Sequence, residues 1–368
     1  MAILALVAIT LGLFLLSLVP ALLEIVQKRD TAPLPIAVDF DTHPERFATS
    51  FRATVARHLG GDPRLVVPSL VRDDQYLHGS GFHIVDRSGR PRFDVKELAT
   101  QSTRKMLLSG VTLYLPNGFT FEQEVFGIAD ICSGACSILR AVFCARELRL
   151  AAGSKVMRWA HAMYIDIGEH CEIHGRASAE KVIIIHPGAT FKRLNAPRIA
   201  FGDIQGAGDV FVTDSLKLPA AAAGEALLNK IPLPEGDNRI IVDGDLHIPA
   251  GGHVVGDVIA YGNLHLGHSA RIVGSIKTHK NLLMAARASI EGAAVAVNDV
   301  VVGADAFIRG PVIAERAIRL CRGSRIGTLD AQTSAVAPVI SAEPGASAFG
   351  TLWAREHGTA LNHSASAT

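Results

Sequence analysis

Three groups of side chains are of the types that carry chemistry. His247, His253, His265, His268 and His279 lie close together in the chain, and histidine, ionising near neutrality, is the usual general base of acyl transfer. His161, His170 and His174, with Glu169, Cys171 and Glu172, offer donors of the kind that hold zinc. Asp245, Asp257, Asp299 and Asp305 supply carboxylates, which glycoside-cleaving sites use in facing pairs. Each group also has a plainer reading. His247 and His265 occupy equivalent positions one repeat apart, so they read as outward rungs of a surface ladder. Glu169 to His174 flank Ile173, where alternate residues of a strand are normally polar, and no zinc-type spacing recurs. The acids are scattered over different repeat positions, and aromatics for sugar stacking make up only 6% of the chain. No phosphate loop, nucleophile elbow or basic stripe is present, and the glycines from Gly202 to Gly208 read as a turn. The sequence assigns no catalytic, cofactor-binding or metal residue, and the chain is expected not to be an enzyme.

The elements that would position these residues come from a repeat. From Ile240 onward the sequence repeats every 18 residues. Leu246, Leu264, Leu282, Val300 and Ile318 share one position. Ile248, Leu266, Met284, Val302 and Leu320 share a second, and Val254, Ile272, Ile290, Ile308 and Ile326 a third. Gly256, Gly274, Gly292 and Gly310 keep the same interval. An apolar-x-apolar pair is a short strand with alternate residues on one side. Three six-residue segments then make a triangular coil whose inward aliphatics stack on the next coil. One coil cannot bury its own face, so neighbours are required. These columns are the expected structural core.

The same pair runs backwards with looser spacing through Leu216/Leu218, Ile199/Phe201, Ile183/Ile185, Ile165/Ile167 and Leu148/Leu150 to Leu113/Leu115. Between Leu218 and Leu246 the step lengthens, and the excess reads as a loop at 219–239 inserted between coils. The β-helix is expected over 111–335, and the Ala, Ser and Thr-rich stretch 336–368 as a flexible tail, with Trp353 its one docking feature.

Met1 to Leu23 carry no charged side chain, and about 20 helical residues cross a hydrocarbon core. Residues 1–27 therefore read as an uncleaved single-pass anchor. Lys28 and Arg29 follow it, which places the bulk of the chain in the cytoplasm, at the inner membrane. Residues 28–110 read as a small α+β juxtamembrane module. Phe47, Phe51, Val55 and Leu59 fall at helical spacing between a Thr42 cap and a Gly60 stop. Ser88-Gly89 reads as the turn of a hairpin. A helix at the membrane surface or on a partner, with Arg46, Arg52 and Arg57 on its polar side, is the sharper alternative to a spacer. The formal net charge of +1 sets up no field for nucleic acid, and five cysteines without paired spacing point to reduced, mostly buried thiols.

Two segments carry a resemblance to a known family: Gly244-Asp245-Leu246-His247-Ile248 with Val254-Val255-Gly256-Asp257-Val258, and Gly262-Asn263-Leu264-His265-Leu266 with Ala270-Arg271-Ile272-Val273-Gly274-Ser275-Ile276. They resemble the bactofilins, bacterial polymer-forming cytoskeletal proteins, over about 240–330 and more weakly from about 125. The resemblance implies a β-helix, needing no cofactor, that joins end to end into nucleotide-free filaments beneath the membrane and places client proteins or shapes the envelope. Self-association, the membrane and such clients are the expected partners. If the N-terminal module caps the first coil, association proceeds only from the far end and stops at a dimer. A hexapeptide-repeat acyltransferase and a polysaccharide-binding β-helix are the competing readings.

Overall fold

The structure, a computed structural model, describes residues 46–62, 82–202 and 239–362, all within one compact unit, Pro44–Thr368. It is mainly β, a solenoid of about 12 turns with about 18 residues per coil. In the regular part each coil gives three short strands. Arg239–Val242, Leu246–Ile248 and His253–Val255 pair in parallel with Asp257–Ala260, Leu264–Leu266 and Arg271–Val273 of the next coil. Leu246, Leu264, Leu282, Val300 and Ile318 lie in direct register. So do Val254, Ile272, Ile290, Ile308 and Ile326. Together with Ile248, Leu266, Met284, Val302 and Leu320 they belong to, or pack against, a single hydrophobic core. Each fully buried aliphatic in it contributes about 1.5–3 kcal/mol.

Polar side chains tie the coils together at their corners. The Asp245 carboxylate accepts the backbone N–H of Asn263 at 2.7 Å. The Asn263 carbonyl oxygen accepts the side-chain amide of Asn281 at 2.9 Å, and that of Asn281 accepts the N–H of Asp299 at 3.2 Å. A second corner stacks Asp257 on Ser275, whose N–H reaches the carboxylate at 2.8 Å. Glycine recurs beside it because a Cβ on Gly292 would stand 2.5 Å from the Gly274 carbonyl oxygen; backbone meets backbone there with no room for a side chain.

The coils fall into two arms, 82–202 and 239–360, and their connection differs from the expected one. The last strand of the first arm, Thr190–Phe201, does not stack on the coil at Arg239. It pairs antiparallel with the final strand of the chain, Ser347–Ala360. The arms therefore meet tip to tip, and Arg239–Val255 lies at the far end of the second arm. The loop expected between neighbouring coils connects coils that are not neighbours; residues 203–238, with the Leu216/Leu218 rung, lie outside the described residues. The tail expected at 336–368 is solenoid as far as Ala360, in the strands Thr333–Ala342 and Ser347–Ala360. Ile340 and Leu352, with alanines 335, 337, 342, 346, 348, 354 and 360, fill its core, so the aliphatic pattern thins there while the burial does not.

The first arm also begins earlier than expected. Phe82–Val85 pairs in parallel with Met106–Ser109, so the segment read as a hairpin and as a separate module is part of the solenoid. Gly89, at φ +67°, makes a turn there, but the chain goes on into a second helix instead of a return strand. Helix α1, Arg46–Leu59, stops before Gly60, whose φ is +70°. Its 14 residues extend about 21 Å, enough to cross four stacked strands about 4.8 Å apart. Phe51, Val55 and Leu59 pack over Leu108, Phe126, Phe143 and Trp159, which point away from the solenoid core. Those strands are apolar on both faces because α1 covers the outer one. Helix α2, Val95–Thr100, opens with a capping box between Asp94 and Glu97. Among the described residues no helix is long and apolar enough to cross a membrane; the anchor expected at 1–27 lies outside them, as does the Thr42 cap.

Candidate functional site

The chemistry-bearing groups are not brought together. His247 and His265 sit one above the other, ring centroids 6.4 Å apart. His253 is exposed on a different strand, and His268 is exposed on a turn, its Nδ1 3.0 Å from the Ser269 hydroxyl. His279 stacks on Tyr261 at 4.6 Å. Of the second group, Glu172 bridges His174 and Lys155, both at 2.9 Å. His170 stands on a turn with φ +54°. The Cys171 thiol points inward and donates to the Ala151 carbonyl oxygen, and burial pushes its pKa up to about 11. Burial likewise pushes the Cys144 thiol up to about 12. Among the described residues no group of three or more His, Cys, Asp or Glu side chains could hold a metal ion.

His161 belongs to a column that the sequence reading did not see. Leu108, Phe126, Phe143, His161, Ser178, Asn195 and Thr351 follow one another in register on the outer side of successive coils. The column is aromatic where α1 covers it, with Phe126 stacked on Phe143 at 5.0 Å. It turns polar at His161, whose Nδ1 lies 2.9 Å from the Ser178 hydroxyl. The column continues across the junction, where the Asn195 amide donates to Thr351 Oγ1 at 2.8 Å. Trp353 docks there too, under the Arg193 guanidinium at 5.1 Å.

The carboxylates are engaged in the stacking. Hydrogen bonds from the Asn263 backbone and side chain hold the Asp245 pKa below its usual value. Arg316 does the same for Asp299, through a two-pronged ion pair. Asp305 occupies a left-handed turn, φ +56°.

The part of the molecule with unfinished chemistry is one end of the solenoid. At the end formed by residues 82–100, a strand, a turn and α2 replace the three strands of a regular coil. The Phe93 ring lies over the core there, stacked on Phe119 at 4.2 Å and 6.3 Å from Phe121. The end at Arg239–Val255 has no such lid among the described residues. Among the described residues its three strands pair on one edge only. Ile240, Leu246 and Val254 are only partly buried, whereas their equivalents one coil on, Val258, Leu264 and Ile272, are fully buried. Ile241 is 61% exposed and Val255 53%. Open strand edges beside apolar side chains are a template for pairing with another chain. The sequence signal for this end was present in the resemblance, but the coil that carries it could not be placed at a tip without knowing where the chain goes after Phe201.

No family model, no curated protein and no solved structure matches the chain.

Proposed function

We propose that the chain is a structural scaffold that self-associates through an end of its solenoid, in the manner the bactofilin resemblance implies. An N-terminal segment would anchor it to the inner membrane, with the solenoid on the cytoplasmic side. There it would organise envelope or cell-shape proteins. The observation that carries the reading is the coil Arg239–Val255, with core positions left half-covered and one edge of each strand free of a strand partner among the described residues. The chemistry-bearing side chains support it from the other direction, since their described contacts stack coils or corners together.

The test is the mass and appearance of the full chain, purified in detergent without nucleotide, by sedimentation and electron microscopy. The reading expects defined assemblies larger than one chain. A monomer at every concentration, or turnover of an acyl donor lost on replacing His247 or His265, overturns it.

A further inference from the structure

Resting on that reading, we infer that the open coil takes a second copy of this chain, across a two-fold axis through Ile241, and that association stops at two. Three observations carry the inference. The first is the charge pattern of the end strand. Arg239, Ile241 and Asp243 are exposed, while Ile240 and Val242 turn towards the core. Antiparallel pairing of this strand with its own copy, centred on Ile241, sets Arg239 opposite Asp243 of the second copy, and the reverse. The same register sets Ile240 opposite Val242, so apolar side chains meet on the core side and opposite charges meet outside. A slip by one residue would put apolar positions opposite polar ones.

The second observation is that the chain already makes one such joint with itself. Thr190–Phe201 and Ser347–Ala360 close two parallel-wound arms tip to tip by antiparallel pairing. Leu194 lies opposite Leu352 there, both fully buried, and one core runs through both arms. This backbone thus forms antiparallel joints between solenoid ends without breaking the core. The third is the asymmetry of the two free ends. Phe93 and α2 cover part of the end at residues 82–100, where only Phe82–Val85 keeps an edge without a strand partner among the described residues, against three such edges at Arg239–Val255. A symmetric contact at one end, and a single short edge beside a lid at the other, favour a closed pair over a filament.

Sedimentation equilibrium of the full chain in detergent, over a wide concentration range, tests this. The expected species are monomer and dimer alone. Arg239→Asp, or Asp243→Arg, places like charges opposite each other twice in the interface and weakens the dimer at least about five-fold. Both changes together restore it. Both positions are exposed, so each variant keeps the circular dichroism and melting of the parent. Filaments that lengthen with concentration overturn the closed pair and leave the scaffold reading standing. A dimer indifferent to both charge reversals overturns the interface. A monomer throughout, with the amides of residues 240–242 protected from hydrogen exchange, assigns the coil to another segment of the same chain. That result overturns both this inference and the scaffold reading.

Discussion

The two arms bury their interiors with different side chains. The second arm, from Arg239 to Ile326, uses short strands, aliphatics in strict columns, and corners held by Asp and Asn side chains. The later coils of the first arm use strands of 12 to 14 residues that run through register shifts, and the arm fills its interior with Phe119, Phe121, Phe191 and Phe201. Its outer face is apolar as well, under α1. A coil that relies only on its neighbours must repeat its spacing faithfully, because each inward side chain needs a counterpart in register. A coil with a helix packed outside, or a large ring inside, tolerates a changed step. Among the described residues, the arm with the plainest repeat carries the end without a lid, and the arm with the irregular coils carries the lid.

The largest expected effect breaks the repeat at its centre. Leu282→Ala leaves a cavity between Leu264 and Val300 and costs about 2–5 kcal/mol, measured by urea unfolding. Leu246→Ala, in the same column but at the uncovered end, costs less than half as much. Equal losses at the two positions would mean that something covers the end in the monomer. Next, Phe93→Ala removes the lid of the other end, at a cost of about 1–3 kcal/mol for a partly buried ring. It should also let the chain associate beyond two copies, read by sedimentation.

A smaller loss is expected at the corner. Asn281→Ala deletes one donor to Asn263 and the acceptor for the Asp299 N–H, about 1 kcal/mol in the same assay. The smallest effect concerns pH. The Arg316 guanidinium holds the Asp299 pKa below its ordinary 3.8. A carboxylate with a lowered folded-state pKa adds stability that is fully present above its unfolded value and lost as pH falls through the folded one. Arg316 is largely exposed, so solvent screening keeps the contribution small. Asp299→Asn should remove that stabilisation at neutral pH and flatten the loss of stability below about pH 4, followed by thermal melting against pH.

The regular arm was legible because its columns keep one interval from Leu246 to Ile326, and only a stacked coil makes such an interval useful. The last coils were not. Ile318 pairs with Ile340, a longer step than the ones before it, and Ala342 and Ala348 take the places of Leu320 and Ile326 in the interior. Small residues in a changed register look like a tail. The junction was invisible for a different reason. Neither Thr190–Phe201 nor Ser347–Ala360 says which strand it will meet, since antiparallel pairing between distant segments leaves no periodic trace. The same gap hid the tip: only after Ile199 is joined to Ala348 does Arg239 become an end. Among the candidate groups, the paired outward positions of His247 and His265 were legible from spacing. The place of His161 in a column running under α1 was not, because the helix and the strands it covers are far apart in sequence.

The tip-to-tip joint of the two arms is the claim on which the rest depends, and a disulfide measures it most directly. Asn195 and Thr351 face each other in register with side chains in contact. The double variant Asn195→Cys, Thr351→Cys should therefore form an intrachain disulfide on mild oxidation, identified as a linked peptide by mass spectrometry, with the melting temperature kept or raised. Absence of that link, or its formation only between chains, would contradict the joint and with it the assignment of Arg239–Val255 as the free end.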